Sequence, residues 1–386
     1  MTHIFIVNEK TFKIHLEYMF AGTGYSTNIP DFIVENKTEQ TASSKEKTFT
    51  SMIADISKIK ENDIVAFYVT GCKKIFGFFK AYGKPYYCKK GENDLSSDDK
   101  LGRYLPFRVK LRPYKVFAKG VSEHKALDDI SNIQHPYEMC WSLIYRKLTG
   151  MRGCSFVTDY EYASLFNLIS SENNNIPLSS DSYSYDDEIK EIVSVNNSAY
   201  ELNDPYISLD IKPRLLSVKR SHEAHLQAYI IQNYDTSPLK ELLLPEHSLN
   251  TWIGNEVVCS VGEQRIDILI ISETDNKYII RLIELKDEKP HKDTIEIQID
   301  WYLKWIIQYY VPLLCDKPVE IIPTIIAAQY KINCKSKLEF FAAKDNFNTE
   351  LYSSGNAKTV PVEYIGYTKD DKEDEKDKDI KFLKVE

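Results

Sequence analysis

The sequence predicts a mixed α/β protein of two domains, and three observations carry that prediction. The chain has 386 residues, more than one hydrophobic core usually serves. Residues 171–205 are rich in Ser, Asn, Asp and Tyr, the composition of a linker. The two flanking stretches differ in pattern: short strand-like runs with turn signals in residues 1–170, and longer Ile-rich runs between helix-like segments in residues 206–386. The expected architecture is a small, mostly antiparallel β-barrel or curled sheet with helices over 1–170, a linker over 171–205, and an α/β domain over 206–386.

In the first half, residues 2–8 (THIFIVN) read as an opening strand, and residues 21–25 as a glycine-bearing loop. That loop lacks the Gly-Lys-Ser/Thr of a phosphate-binding loop. Residues 35–47 are polar and read as a further loop. Residues 64–69 form an apolar strand, and 74–82 its hairpin partner across the turn at 70–73. Further strands are expected at 104–111 and 115–117. Residues 135–147, containing Trp141, read as a helix, and 159–168 as another with Tyr162, Leu165 and Phe166 on its apolar side.

In the second half, residues 221–230 read as a helix in which Glu223, Leu226 and Ile230 share one stripe. A carboxylate in line with a core-facing stripe needs a compensating partner, and a metal ion is one. Residues 249–253 and 256–261 suggest a turn and a strand. Residues 266–271 and 278–285 are Ile-rich runs about a polar centre, Asp275-Asn276, suited to a tight hairpin turn. With those two residues as the loop, Asp267 lies opposite Glu284. Side chains alternate along a strand, so Glu284 and Lys286 share that face. Two carboxylates and an ammonium therefore gather at the open end of one hairpin, among apolar neighbours. Residues 293–310 read as a helix with Gln298 and Tyr302 four apart on one face, and with Trp301, Trp305 and Ile306 in ordinary packing. Residues 318–328 suggest a buried strand pair, 337–342 and 360–364 extensions of the sheet, and 380–385 an edge strand.

Two close carboxylates repel one another unless a cation lies between them. Hard oxygen donors and a non-redox role point to Mg²⁺ or Mn²⁺. Such an ion polarises a phosphoryl oxygen and activates a water, while Lys286 orients the water or offsets developing charge. That is chemistry for cutting a phosphodiester. The same residues also allow the blander outcome of a solvated strand face with Asp267 paired to Lys286.

In order, these pieces are a helix with Glu223, an Ile-Asp strand, a Glu-Leu-Lys strand and a helix with Gln-x-x-x-Tyr. Over residues 219–310 the chain thereby resembles the PD-(D/E)xK nuclease superfamily, nearest its RecB-like and archaeal endonuclease branches. The resemblance implies that Glu223, Asp267 and Glu284 are metal ligands for Mg²⁺ or Mn²⁺, that Asp267, Glu284 and Lys286 are catalytic, and that Gln298 and Tyr302 support the site and touch DNA. No Pro precedes Asp267, a departure from the family's name.

Residues 1–170 resemble, as a pattern, the PUA-like superfamily that contains EVE and YTH domains. The likeness rests on HIFIVN, on KENDIVAFYVTGCKKIFGFFKAYGKPYY, on LPFRVKLRP and on Gly150-Met151-Arg152-Gly153-Cys154-Ser155 before a helix. It implies a flipped base held on aromatic rings. The candidates are Tyr25, Tyr68, Phe76 and Trp141, with Asn8 as a polar reader. Lys73, Lys74, Arg108 and Arg112 would form a basic nucleic-acid face beside them.

Composition fits these expectations. The net charge is −8, yet residues 73–125 hold 14 Lys or Arg and 5 Asp or Glu, a local balance of +9. Seven scattered cysteines without a paired spacing argue for a reducing, cytoplasmic setting and against structural zinc. No secretory signal is expected from the opening MTHIFIVNEK, and no apolar run has the length of a membrane span. The combined expectation is a metal-dependent DNA endonuclease, restricting DNA with modified cytosine. One site per chain implies a homodimer to cut both strands. The alternatives are a repair nuclease for mismatched or branched DNA, and a nucleic-acid-binding protein with an inactive nuclease fold. RNA is an open alternative ligand for the N-terminal domain.

Overall fold

The computed structural model describes residues 1–24, 44–91, 95–97, 100–127, 133–140, 142, 153–196, 206–218, 223–259, 264–330, 334–369 and 379–385. The chain divides into two compact units: Met1–Asp31 with Asp55–Asp210, and Phe32–Ala54 with Ile211–Glu386. Each is mixed α/β, as the sequence predicts. The division itself is not linear in sequence, because a segment upstream of residue 55 groups with the C-terminal unit.

In chain order the first half carries β1 (Thr2–Val7), α1 (Glu9–Glu17), β2 (Phe20–Thr23), α2 (Ser44–Ser57), β3 (Ile64–Val69), β4 (Lys74–Cys88), β5 (Phe107–Pro113), β6 (Val121–Ser122), α3 (Glu123–Leu127), β7 (Cys154–Val157), α4 (Asp159–Glu172), β8 (Tyr183–Asp186), β9 (Glu191–Ser194) and β10 (Tyr206–Ile207). The first unit's main sheet runs β2-β5-β4-β3-β1-β7, with β6 and β10 attached to β4. The path is open, so of the expected barrel or curled sheet the barrel does not close among the described residues. β1 pairs with β3 in parallel, across the crossover that contains α1; the other pairings are antiparallel. Residues 115–117, expected as a strand, and 135–140, expected as helix, have neither form; the latter hold a single 3₁₀ turn, Pro136–Glu138.

Residues 171–205 are more than a linker. Tyr183 and Tyr185 are each 2% exposed, because the alternation Tyr-Ser-Tyr-Asp turns both rings to one side of the β8–β9 hairpin. Tyr185 meets Phe12 edge-on at 5.1 Å between ring centroids and Phe76 at 5.8 Å. A buried aromatic ring contributes roughly 2–3 kcal/mol, so polar composition concealed a core element.

The second unit adds α5 (Lys212–Ser217), α6 (Glu223–Asn233), α7 (Leu239–Leu243), β11 (Asn250–Val258), β12 (Arg265–Glu273), β13 (Tyr278–Lys286), α8 (Asp300–Trp305), β14 (Val319–Ala328), α9 (Lys335–Asn346), β15 (Ala357–Thr359), β16 (Glu363–Lys369) and β17 (Ile380–Val385). Its sheet runs β11-β12-β13-β14-β16-β17, with β15 beside β14. β13, β14 and β16 are parallel and central, which explains their nearly unbroken apolar runs. The β12–β13 hairpin adopts the expected register: Ile268 faces Ile283 and Glu273 faces Tyr278, so Asp267 and Glu284 are the next pair outward. Residues 319–328 form one strand rather than a pair. Residues 337–342 are helical, within α9, where Ala342, Ala343 and the flanking Lys and Glu favour helix over strand. No helix among the described residues is long and apolar enough to cross a membrane. All seven cysteines are free thiols.

Candidate active site

The site lies at the C-terminal end of β13, the position where open sheets with parallel strands commonly hold ligands. Glu284 is 2% exposed on this central strand. Its Oε1 accepts from Lys286 Nζ at 2.5 Å. Its Oε2 lies 2.9 Å from the Tyr302 hydroxyl, which is also 2.8 Å from the Arg265 carbonyl oxygen. A phenol has one proton, so Tyr302 donates to one of these two acceptors at a time. Asp267 Oδ2 accepts from the Leu285 backbone N–H at 2.7 Å, which locks that carboxylate against β13.

Glu223 opens α6, and its Oε1 stands 3.7 Å from Lys286 Nζ. One turn on, Gln227 donates from Nε2 to the Asp267 carbonyl oxygen at 3.0 Å and to Glu256 Oε1 at 3.3 Å. Glu256 lies on β11 between the pairs Asn255–Ile268 and Val257–Ile266, hence across from Asp267. Its φ of 52° is in the left-handed region that a non-glycine residue enters at a cost, and such positions cluster at functional sites. Glu256, Asp267 and Glu284 thus form a row across three adjacent strands. Arg265 Nη1 pairs with Glu256 Oε2 at 2.8 Å.

The second wall is one helical rod: π-helical turns at Thr294–Ile299, then α8, then π-helical turns at Ile306–Tyr310. It brings Gln298 and Tyr302 to the same cavity of about 260 Å³ as the carboxylates and Lys286. π-helical insertions recur at functional sites. Trp301, expected to pack inside, is instead 44% exposed, with its indole N–H donating to the Cys259 carbonyl at 3.1 Å.

Electrostatics set this cavity apart. Burial, and then the charges of Glu284, Glu256 and Glu223, push the Asp267 carboxyl well above its ordinary range. Glu223 is raised as well, first by burial. Burial works against the Lys286 ammonium, but Glu284, Glu223 and Asp267 outweigh it and raise its pKa. Burial and the Glu284 and Asp267 charges keep the Tyr302 phenol protonated.

The donor set can be tested against a divalent ion. Among the described residues, no three His, Cys, Asp or Glu side chains stand ready as a metal site, and Lys286 reaches both Glu284 and Glu223. The fit lies in the chemistry. Hard carboxylate oxygens face one corner of the cavity, and a divalent cation would relieve the charge repulsion that adds to burial in raising Asp267. Asp267 and Glu284 would hold it; Glu223, expected as a third ligand, stands 3.7 Å from Lys286 Nζ.

The residues expected to read a base in the first unit fare differently. Tyr25 and Trp141 lie outside the described residues. Asn8 is the cap of α1, its Oδ1 accepting from Thr11 N at 2.8 Å. Tyr68 is 3% exposed in a core cluster, its hydroxyl donating to Glu123. Phe76 is wholly buried against Phe12, at 5.2 Å. Arg108 is wholly buried too: its Nε donates to the Leu105 carbonyl at 2.7 Å and its guanidinium lies 4.9 Å from the Phe20 ring centroid. Arg112, four residues further along β5, is exposed and bonds Asn62. Lys73 is exposed and Lys74 half-buried at the β3–β4 turn.

Six polar residues of the cavity escaped the sequence reading: Lys47, Ser51, Gln227, Glu256, Gln264 and Arg265. Gln227 was legible, one turn after Glu223. Glu256 needed the β11 register. Lys47 and Ser51, on α2, also line the cavity, and nothing in the sequence ties them to residues so far downstream. In comparisons with known proteins, no family model matches the chain, and no curated protein matches it either.

Proposed function

We propose that this protein is a Mg²⁺- or Mn²⁺-dependent endodeoxyribonuclease, with the second unit cutting phosphodiesters and the first selecting the substrate. The observation that carries the reading is the convergence of Asp267, Glu284 and Lys286 on one half-buried polar cavity, with Glu223, Gln298 and Tyr302 on its walls. Like charges are held together there at a cost that folding alone does not require. When bound, a divalent ion supplies a Lewis acid for the phosphoryl oxygen and a more acidic water.

The chain's own residues take distinct parts. Asp267 and Glu284 supply the oxygen donors, oriented by the Leu285 N–H and the Tyr302 hydroxyl. Lys286 keeps its proton at neutral pH because its carboxylate neighbours raise its pKa. It therefore serves as a cation that orients water and offsets developing negative charge, rather than as a general base. Tyr302 likewise donates rather than accepts a proton. A homodimer would cut both strands.

Selection of a modified base such as 5-methylcytosine is supported by the resemblance of residues 1–170 to PUA-like readers. Matched supercoiled plasmids, one unmodified and one carrying methylated cytosines, test both parts with Mg²⁺ or Mn²⁺. Cleavage of the methylated plasmid alone is expected. Cleavage of both removes the modified-base reader and keeps the nuclease. Cleavage of neither removes the restriction reading and leaves a repair nuclease for mismatched or branched DNA, then a nucleic-acid-binding protein, as the alternatives.

A further inference from the structure

The catalytic cavity has a wall that comes from far upstream in the chain. In α2, Glu46 is 3% exposed. It accepts from Arg214 Nε at 2.6 Å and Nη2 at 2.9 Å, and its Oε1 lies 2.9 Å from His225 Nε2. Arg214 belongs to α5 and His225 to α6, two residues beyond Glu223. This buried cluster fastens the start of α2 to the helix that opens the site.

Successive helical residues point about 100° apart. With Glu46 turned inward, Lys47 faces aside, and it lines the cavity together with Ser51, one turn on. Ser51 Oγ donates to the Lys47 carbonyl at 3.0 Å. Three cations line this cavity. Arg265 is paired with Glu256 at 2.8 Å, and Lys286 with Glu284 at 2.5 Å. Lys47 is exposed and forms no ion pair among the described residues. Its charge nonetheless reaches Glu223, whose carboxyl it pulls downward against burial and the other acids.

We infer that Lys47 is a substrate-binding residue of the cavity, taking a backbone phosphate of the nucleic acid, and that the Glu46–Arg214–His225 cluster positions it. A cation held at the mouth of an acidic cavity, without a carboxylate of its own, suits an anion brought by the substrate. The inference rests on the nuclease reading, since it supplies that reading's substrate contact.

The test is duplex binding by the full chain, followed by fluorescence anisotropy of a short labelled DNA over a range of NaCl concentrations in EDTA. Lys47→Ala should bind roughly tenfold more weakly, the scale of one charge-assisted hydrogen bond. Its log–log salt dependence should be shallower by about 0.9, the signature of one lost phosphate contact. Lys47→Arg should keep the wild-type slope. Glu46→Gln, checked as folded by circular dichroism, should move the slope part of the way. A Lys47→Ala protein with the wild-type slope overturns the inference, as does wild-type protein that binds no duplex. Plasmid cleavage by the same preparations separates the two claims. Wild-type cleavage with an unchanged slope in Lys47→Ala keeps the nuclease and removes the Lys47 contact. A changed slope without wild-type cleavage removes the restriction reading and keeps the contact.

Discussion

The second unit contains two acidic clusters whose neighbours act in opposite senses: Glu46 is buried, and Asp267, Glu256 and Glu223 are half-buried around the buried Glu284. Around Glu46, burial would raise the carboxyl, but the hydrogen bonds and charges of Arg214 and His225 prevail and hold it at about 2. Around Asp267, burial is reinforced by three further carboxylates, and the group is pushed well above its ordinary value. Both clusters tie distant segments together. One is a strut whose charges are satisfied inside the protein. The other is only partly offset inside the protein, by Lys286 beside Glu284 and Arg265 beside Glu256. The lesson is that burial of a carboxylate says little about function; the balance of its neighbours says more.

The sharpest way to break this contrast is to empty each cluster in turn. Asp267→Ala or Glu284→Ala should lower Mg²⁺-dependent plasmid cleavage by on the order of a thousandfold or more, while duplex binding measured by gel shift stays near wild type. Normal cleavage by either variant would remove the site assignment. Glu46→Gln should destabilise the fold by about 3 kcal/mol in urea unfolding, because it strands the buried Arg214. The pH dependence follows from the depressed pKa. Glu46's contribution is complete above its ordinary value of 4.5 and is lost as pH falls through about 2. The gap between wild type and Glu46→Gln should close over that range.

Asp267 should behave in the opposite sense. Its folded pKa is raised, so stability falls as pH climbs from the ordinary 3.8 toward the folded value. Asp267→Asn should remove that loss and stabilise the metal-free protein at neutral pH by roughly 1 kcal/mol while abolishing cleavage. Thermal melts in EDTA measure it; an unchanged or lower melting temperature would mean that the like charges are not strained. The smallest effect is expected from Tyr302→Phe. Loss of one hydrogen bond to Glu284 or to the Arg265 carbonyl should cost about 1 kcal/mol of stability and roughly tenfold in cleavage rate.

How much of this was legible in the sequence depends on how local the cause is. The hairpin register followed from the Asp275-Asn276 centre and the period of the strands, and it brought Asp267 to Glu284 as expected. The Gln298–Tyr302 helix followed from spacing. The strut did not, because Glu46, Arg214 and His225 are joined only through tertiary contact, and residues 44–47 read as loop. Polar residues in the first unit misled in the other direction. Asn8 serves a helix cap and Arg108 the core, uses that composition and charge counts do not distinguish from recognition. The Tyr183–Tyr185 hairpin was hidden by its serines and aspartates.

The central claim is that Asp267 and Glu284 form a strained pair that a divalent cation completes. Isothermal titration of the full chain with Mn²⁺, beside Asp267→Asn and Glu284→Ala, tests it most directly. The account predicts saturable binding by wild type, weakened at least about tenfold in each variant. Binding of equal strength in all three, or none in wild type, would contradict it.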